Sequence, residues 1–404
     1  MMHVLLVIFY LFDEIINKYL PVSSGSFFIV LLLFFMTRTT FSISKVKVCK
    51  TAIAGLLILV AGVIGGSISG SPTNWMFFVT TIIMLLLWLM GTSCAGRGLV
   101  INPSHALFGT LVSVFVLYAS ILLNIDVFSI LTNESVNRSG GLFSEPSHLA
   151  LYVMPLMMIS WSRRSYRKFV VAAWLGLAYG AFSLTFALCT FVGVAMMGWH
   201  GRSLRNKPFR HLTFNIIKFL SVTVPIAGIL LVLNRIEALS AFHYLSDRIS
   251  GVFYGDSAKN LNLSALAYLQ GVQIATQSFI KSYGLGVGLG NMGLSNSVLE
   301  GVSYREIIRS LASMDLNLRD GTFLLSKIVS ELGVLSLFLL WVLVVAIWRL
   351  RYGFASYYSA FLGLAICLLF VRALPYFAAP TCLTLICISS VWNNLVNQRT
   401  RPPA

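Results

Sequence analysis

Apolar residues in this chain come in long, nearly unbroken runs, and the polar residues between them are mostly Arg and Lys in short segments. A run of about 20 apolar residues is what a helix needs to cross a hydrocarbon core of roughly 30 Å. Reading the runs in order predicts about 12 spans, near 2–20, 26–43, 51–69, 75–95, 106–124, 147–161, 169–182, 184–200, 212–233, 321–348, 354–371 and 380–396. The first run, Val4 to Phe12, meets Asp13 and Glu14 and no small-residue cleavage site, so no removable leader is expected.

The stretch from Phe169 to His200 decides the topology. As one helix it would run about 48 Å at 1.5 Å per residue, too long for one crossing. It is flanked by Arg163, Arg164, Arg167 and Lys168 on one side and by Arg202, Arg205, Lys207 and Arg210 on the other. A hairpin turning at Ser183–Thr185 puts both basic segments in the cytoplasm, as the positive-inside rule requires. Segments 38–50, 97–105, 349–353 and 397–404 then also fall inside, and none of these inner segments holds an Asp or Glu. Both termini are expected in the cytoplasm. Two loops, 125–146 and 234–320, are expected outside, with nearly all the acids in or beside them. The longer loop has helical periodicity from Asn262 to Ile280, and a loop of that size is expected to cover a binding cavity.

Composition agrees with lipid as solvent. Of 404 residues, 57% are hydrophobic and 10% charged, where a soluble domain carries about a quarter charged residues. The net charge of +16 lies in inter-span loops and forms no basic face with stacking aromatics, which argues against nucleic acid. The six cysteines, Cys49, Cys94, Cys189, Cys367, Cys382 and Cys387, show no C-x-x-C spacing, so neither disulfides nor a metal site is expected. Gly288–Gly293 fits G-x-G-x-x-G but lacks the preceding strand of a dinucleotide site; the glycines from Gly284 to Gly290 are read as tight backbone turns.

The chemistry-bearing segment is Arg138 to Ala150, RSGGLFSEPSHLA. Pro146 suits a first helical turn, which puts Glu145 at a helix N-terminus, where a carboxylate is favoured. Gly140–Gly141 lets the chain bend back and bring Arg138 beside Glu145. The pair reads as an anion clamp and a general base; Glu145 also fits a plain helix cap. His148 reads as a core histidine or as a residue tuning the site.

This segment resembles the signature of the bacterial O-antigen polymerases (Wzy-type), in which an Arg precedes Gly-Leu-Phe, one residue and Glu-Pro-Ser. Weaker landmarks extend the resemblance over about residues 130–380: the Ser183–Thr185 hairpin, the large loop with Arg248 and the glycines Gly284–Gly293, DGTFLLSKIVSELGVLSLF, and RALPYF at Arg372–Phe377. The resemblance implies an all-α polytopic membrane protein with a large, partly helical periplasmic loop, similar to the glycosyltransferase C architecture, in the bacterial inner membrane. It implies a cofactor-free, metal-independent, inverting transfer that joins oligosaccharide repeat units carried on undecaprenyl diphosphate. A polysaccharide chain-length regulator is the implied partner.

Under this resemblance Glu145 takes the proton from the acceptor sugar, and Arg138, Arg248 and Arg372 converge on the diphosphate. Arginine's planar fork suits phosphate oxygens better than lysine's point charge. His148, Asp315, Arg319 and Tyr376 are the expected substrate-binding residues. Arg248 also fits a surface pair with Asp247, and Asp315, Arg319 and Asp320 also fit a solvated cap. His243 would serve as base in the related O-antigen ligases, the first rival reading; the second is a lipid-linked sugar flippase.

Overall fold

The computed structural model describes residues 2–19, 45–71, 75–93, 101–132, 141–181, 183–201, 263–312, 318, 322–349, 356–374, 376 and 378–399. Every regular element among them is helical. In chain order these are α1 (Met2–Leu11), α2 (Asp13–Tyr19), α3 (Lys45–Ile68), α4 (Trp75–Ser93), α5 (Pro103–Leu123), α6 (Val127–Thr132), α7 (Pro146–Trp161), α8 (Arg167–Gly180), α9 (Leu184–Gly201), α10 (Leu263–Lys281), α11 (Asn296–Leu299), α12 (Ser303–Ala312), α13 (Leu324–Leu332), α14 (Leu335–Arg349), α15 (Ser356–Phe370) and α16 (Ala379–Arg399).

The helices follow the predicted runs, except that α3 starts at Lys45, inside the predicted inner segment 38–50, and two runs are divided. The first run is interrupted at Phe12, and the predicted span 321–348 is divided into α13 and α14 at Gly333, whose φ is +54°. Among the described residues two helical stretches, Val48–Ile68 and Pro103–Leu123, are long and apolar enough to cross a membrane. Five others, Phe78–Leu89, Thr185–Met196, Leu335–Ile347, Tyr358–Phe370 and Ala379–Val391, are apolar but shorter. The predicted spans at 26–43 and 212–233 lie outside the described residues.

The chain divides into two compact units. The first comprises Met1–Gly55, Ile82–Ser203 and Leu339–Ala404. Its centre is α7, apolar all round and buried from Leu149 to Ser160; a helix with no polar face must be covered on every side. Helices α5, α8, α9 and α15 pack on it, α16 packs on α15, α1 on α5 and α2 on α6. Gly109 makes the close approach possible. A Cβ there would stand 2.6 Å from a Val7 methyl and 3.1 Å from a Leu156 methyl.

Several buried hydroxyls in this unit turn back onto their own helices. Thr110 donates to the Ala106 carbonyl at 3.0 Å, Ser113 to Gly109 at 3.0 Å and Ser160 to Leu156 at 2.8 Å, which satisfies them without water. The α8–α9 hairpin turns where the charge argument placed it. Helix α8 ends at Gly180, and the Ser183 hydroxyl accepts the Phe186 N–H at 3.1 Å to start α9. Trp174 then donates to Thr190 at 3.0 Å and stacks on Phe186, joining the two arms.

The second unit comprises Leu56–Thr81 and Leu204–Phe338. Here α10, one residue off the predicted Asn262–Ile280 helix, packs on α12 and α13. Ile274, Val287, Met292, Val298, Leu299 and Val302 form its core. The glycine run does make tight turns: Gly284, Gly286, Gly288, Gly290 and Gly293 all have positive φ. The turns let the run pair with the end of α13, through Val287 N–H to Ser330 O, Gly288 N–H to Glu331 O and Val334 N–H to Gly284 O, at 2.8–3.0 Å.

Two of these glycines should respond differently to a methyl group. At Gly290, with φ +82°, a Cβ meets only the Thr80 hydroxyl at 3.7 Å, so Gly290→Ala should cost about 1–2 kcal/mol from backbone conformation alone. At Gly286 a Cβ would lie 2.4 Å from the Glu331 carbonyl oxygen and 2.6 Å from the Gly333 nitrogen. Backbone cannot step aside, so overpacking should add about 1–3 kcal/mol. Thermal midpoints of the purified variants in detergent test this; equal midpoints would refute it.

Candidate functional site

The Leu142–Glu145 turn delivers the chain to the start of α7. Gly141 opens it with φ +74°, and a Cβ there would press to 3.1 Å on the Leu117 backbone. Glu145 is the N-cap with extended backbone, and Pro146 is the first helical residue. The carboxylate makes no cap hydrogen bond. It reaches instead to Arg372, whose Nη2 lies 3.2 Å from Oε1 and 3.1 Å from Oε2. The Ser147 hydroxyl donates to Oε2 at 2.8 Å.

Glu145 is half exposed, with 51% of its side chain accessible, against 21% for Arg372. Partial burial pushes its carboxyl up. The Arg372 guanidinium, His148 and the Ser147 hydrogen bond outweigh that, and the group sits below the ordinary carboxylate range. A carboxylate held that way is a good partner for a cation and a weakened base.

One turn into α7, on the same side as Glu145, stands His148. Its Nδ1 is 3.1 Å from Glu14 Oε1 and 3.2 Å from the Ser144 hydroxyl. The same Glu14 oxygen accepts the Ser144 N–H at 3.3 Å and a short hydrogen bond from the Ser144 hydroxyl. The other oxygen, Oε2, is buried with no donor among the described residues.

Beside Glu14, Asp13 is fully buried at the break between α1 and α2. Its Oδ2 accepts the Tyr152 hydroxyl at 2.6 Å and the Ala379 N–H at 2.7 Å, the latter at the start of α16. Tyr10 closes the arrangement by donating to the Tyr152 carbonyl at 2.9 Å.

The structure therefore brings together Glu145, Arg372 and His148 from the predicted set and adds Glu14, Asp13 and Ser144, which sequence reasoning missed. Tyr376 is buried, with its carbonyl 3.6 Å from the Cys382 thiol. Arg138, Arg248, Asp315 and Arg319 lie outside the described residues, as do His243 and Asp320. Among the described residues no group of three or more His, Cys, Asp or Glu is placed to hold a metal ion.

No family model matches the chain, and comparison with curated proteins and with solved structures gives no match.

The lowered Glu145 carboxyl fixes the sign of a pH effect. A group whose proton affinity falls on folding contributes stability above its unfolded value, and loses it as pH drops through the folded one. Half exposure keeps the contribution on the scale of a solvent-screened pair, about 0–1 kcal/mol. The thermal-midpoint gap between wild type and Glu145→Gln should hold steady from about pH 8 to pH 5 and close only below about pH 4. A gap that closes by about pH 6 would contradict the ion pair.

Proposed function

We propose that the chain is an integral glycosyltransferase of the bacterial inner membrane that polymerises lipid-linked oligosaccharide repeat units at the periplasmic face. The observation that carries this reading is the Glu145–Arg372 pair. Two segments singled out by the family resemblance, 227 positions apart, meet side chain to side chain. The pairing uses Nη2 alone, on both carboxylate oxygens, and the guanidinium fork that carries it has donors spaced for a phosphate.

Support for the membrane comes from the surface. Ile53, Leu56, Leu57, Val60, Ile64 and Ile68 on α3, and Phe108, Leu111, Phe115 and Leu122 on α5, are exposed. Apolar faces of that extent call for a non-aqueous neighbour. The charge pattern assigns Glu145 and Arg372 to span ends on one side, the periplasm, and Glu14 joins them around a single helix mouth through His148.

In the proposed reaction the donor is the growing glycan on undecaprenyl diphosphate, and the acceptor is a sugar hydroxyl of the next repeat unit. Arg372 takes the phosphate oxygens as negative charge develops on the leaving diphosphate. Glu145 holds the guanidinium in place until the phosphate arrives, a role its pairing fits better than that of base. Arg138 and Arg248 enter the same proposal as further phosphate contacts, and Asp315, Arg319 and Tyr376 as walls of the glycan site. The apolar helices flank the polyprenyl tail, and the displacement inverts the anomeric carbon.

The glycan ladder of a deletion strain tests the activity. A polymerase leaves single repeat units on the lipid A core. Bare core with polymer retained on the carrier lipid would indicate a ligase, and repeat units trapped on the cytoplasmic side a flippase. Arg372→Lys keeps the charge but loses the fork, so polymer formation should fall about tenfold to a hundredfold, the equivalent of one charged hydrogen bond of roughly 1.5–3 kcal/mol. Full ladders from Arg372→Lys would reduce Arg372 to a headgroup anchor. Reporter fusions at residues 205 and 290 should read out opposite sides of the membrane; the same side for both would overturn the topology.

A further inference from the structure

We infer that the proton acceptor of this transfer is His148, through Nε2, with Glu14 as the residue that positions it; this rests on the transferase reading above. The geometry runs from the partner atoms. An ionised carboxylate only accepts, so the imidazole nitrogen 3.1 Å from Glu14 Oε1 is the one that carries the hydrogen. Nδ1–H facing Glu14 leaves the lone pair on Nε2. Among the described residues nothing hydrogen-bonds to Nε2, and 18% of the His148 side chain is accessible. The base nitrogen is therefore oriented, unoccupied and one helical turn from the Glu145–Arg372 pair.

Glu14 is built for that supporting role. Ser144 fixes Oε1 with both its N–H and its hydroxyl. No Arg or Lys among the described residues pairs with Glu14, and Oε2 is buried without a donor. The negative charge is thus left for the imidazolium that forms when Nε2 takes a proton, the same logic by which a buried carboxylate serves a catalytic histidine elsewhere. Glu145 has the opposite arrangement, with both oxygens facing a guanidinium.

The step balances as a single displacement. The acceptor sugar hydroxyl gives its proton to His148 Nε2 while its oxygen pair bonds to the anomeric carbon of the donor glycan. The bond from that carbon to the diphosphate oxygen breaks, its electron pair leaves with the diphosphate, and the imidazolium returns the proton to water. Orientation by Glu14 and charge acceptance by Arg372 act at the two ends of one movement of electrons.

The test uses full-length protein reconstituted in proteoliposomes with the undecaprenyl-diphosphate-linked repeat unit extracted from its own host. His148→Asn is the informative variant, because its amide N–H can replace Nδ1–H toward Glu14 while no basic nitrogen remains. For variants with a wild-type elution profile and cooperative thermal unfolding, His148→Asn should lower kcat on the order of 10²–10⁴-fold, the usual range for a lost general base, with donor KM little changed. Glu14→Gln should lower kcat by a smaller factor, since it misorients the base without removing it. Glu145→Gln should act mainly on donor KM.

Near-wild-type turnover by His148→Asn would overturn the assignment, as would a full loss confined to Glu145→Gln. If His148→Asn does not fold, Glu14→Gln decides alone, and wild-type kcat there overturns the dyad. Failure of wild-type protein to make polymer would refute the transferase reading itself, which separates the two questions.

Discussion

Two adjacent carboxylates at the foot of the first helix, Asp13 and Glu14, are the constraint around which the first unit is organised. A carboxylate taken out of water without partners costs several kcal/mol, so a fold that buries two in sequence must bring donors to both. Asp13 obtains them from Tyr152 on α7 and from the free N–H of Ala379 at the start of α16. An anion at a helix N-terminus is favoured by the helix dipole as well as by the hydrogen bond. Glu14 obtains them from Ser144 and His148. The N-terminal helices are thereby fixed to the chain's central and last helices by polar contacts that apolar packing alone would not specify.

Much of the helical layout was legible in the sequence because the strongest signals are local. Pro146 after a polar residue marks the start of α7, and the structure begins the helix there. The basic flanks of Phe169–His200 called for a turn, and Ser183 supplies the cap that makes one. The glycines of Gly284–Gly290 indicated tight backbone turns, and the structure makes those turns with positive φ at Gly284, Gly286, Gly288 and Gly290. Gly333 was less visible. A lone glycine in an apolar run reads as part of the helix, and only the facing Gly284 carbonyl, 2.0 Å from where its Cβ would be, shows why no other residue fits.

Glu14 and Asp13 were present in the reading only as the reason the first run did not look like a removable leader. The signal that points further is their position: ionisable residues inside an apolar run are expensive and seldom idle. What they contact could not be read, because Glu14 and His148 are 134 positions apart and pairing over that distance has no periodicity. The same holds for Arg372, whose cost inside an apolar pair was visible while its partner was not. The cap interpretation of Glu145 was reasonable from Pro146 alone, yet the side chain is drawn away from the helix by a guanidinium from 227 positions on.

That long-range assembly bears on how the site is held. Its groups come from α2, from the turn before α7, from α7 itself and from the segment after α15, so none is in place until the beginning, middle and end of the chain have docked. A local helix cap would survive partial unfolding; this arrangement would not, since Glu14–His148, Asp13–Tyr152 and Glu145–Arg372 each join elements that are independent in sequence. Rigidity follows from the second set of contacts. Tyr152 is buried between Tyr10 and Phe143, with ring centroids 5.3 and 4.7 Å away, and its hydroxyl bonds Asp13, the residue next to Glu14. His148 lies one turn above Tyr152 on the same helix. Asp13–Tyr152 therefore sets the register of α2 against α7, and that register is what places Glu14 opposite His148 Nδ1. In the proposed transfer, a carboxylate with no contact to the reacting atoms would in this way govern which imidazole nitrogen faces them.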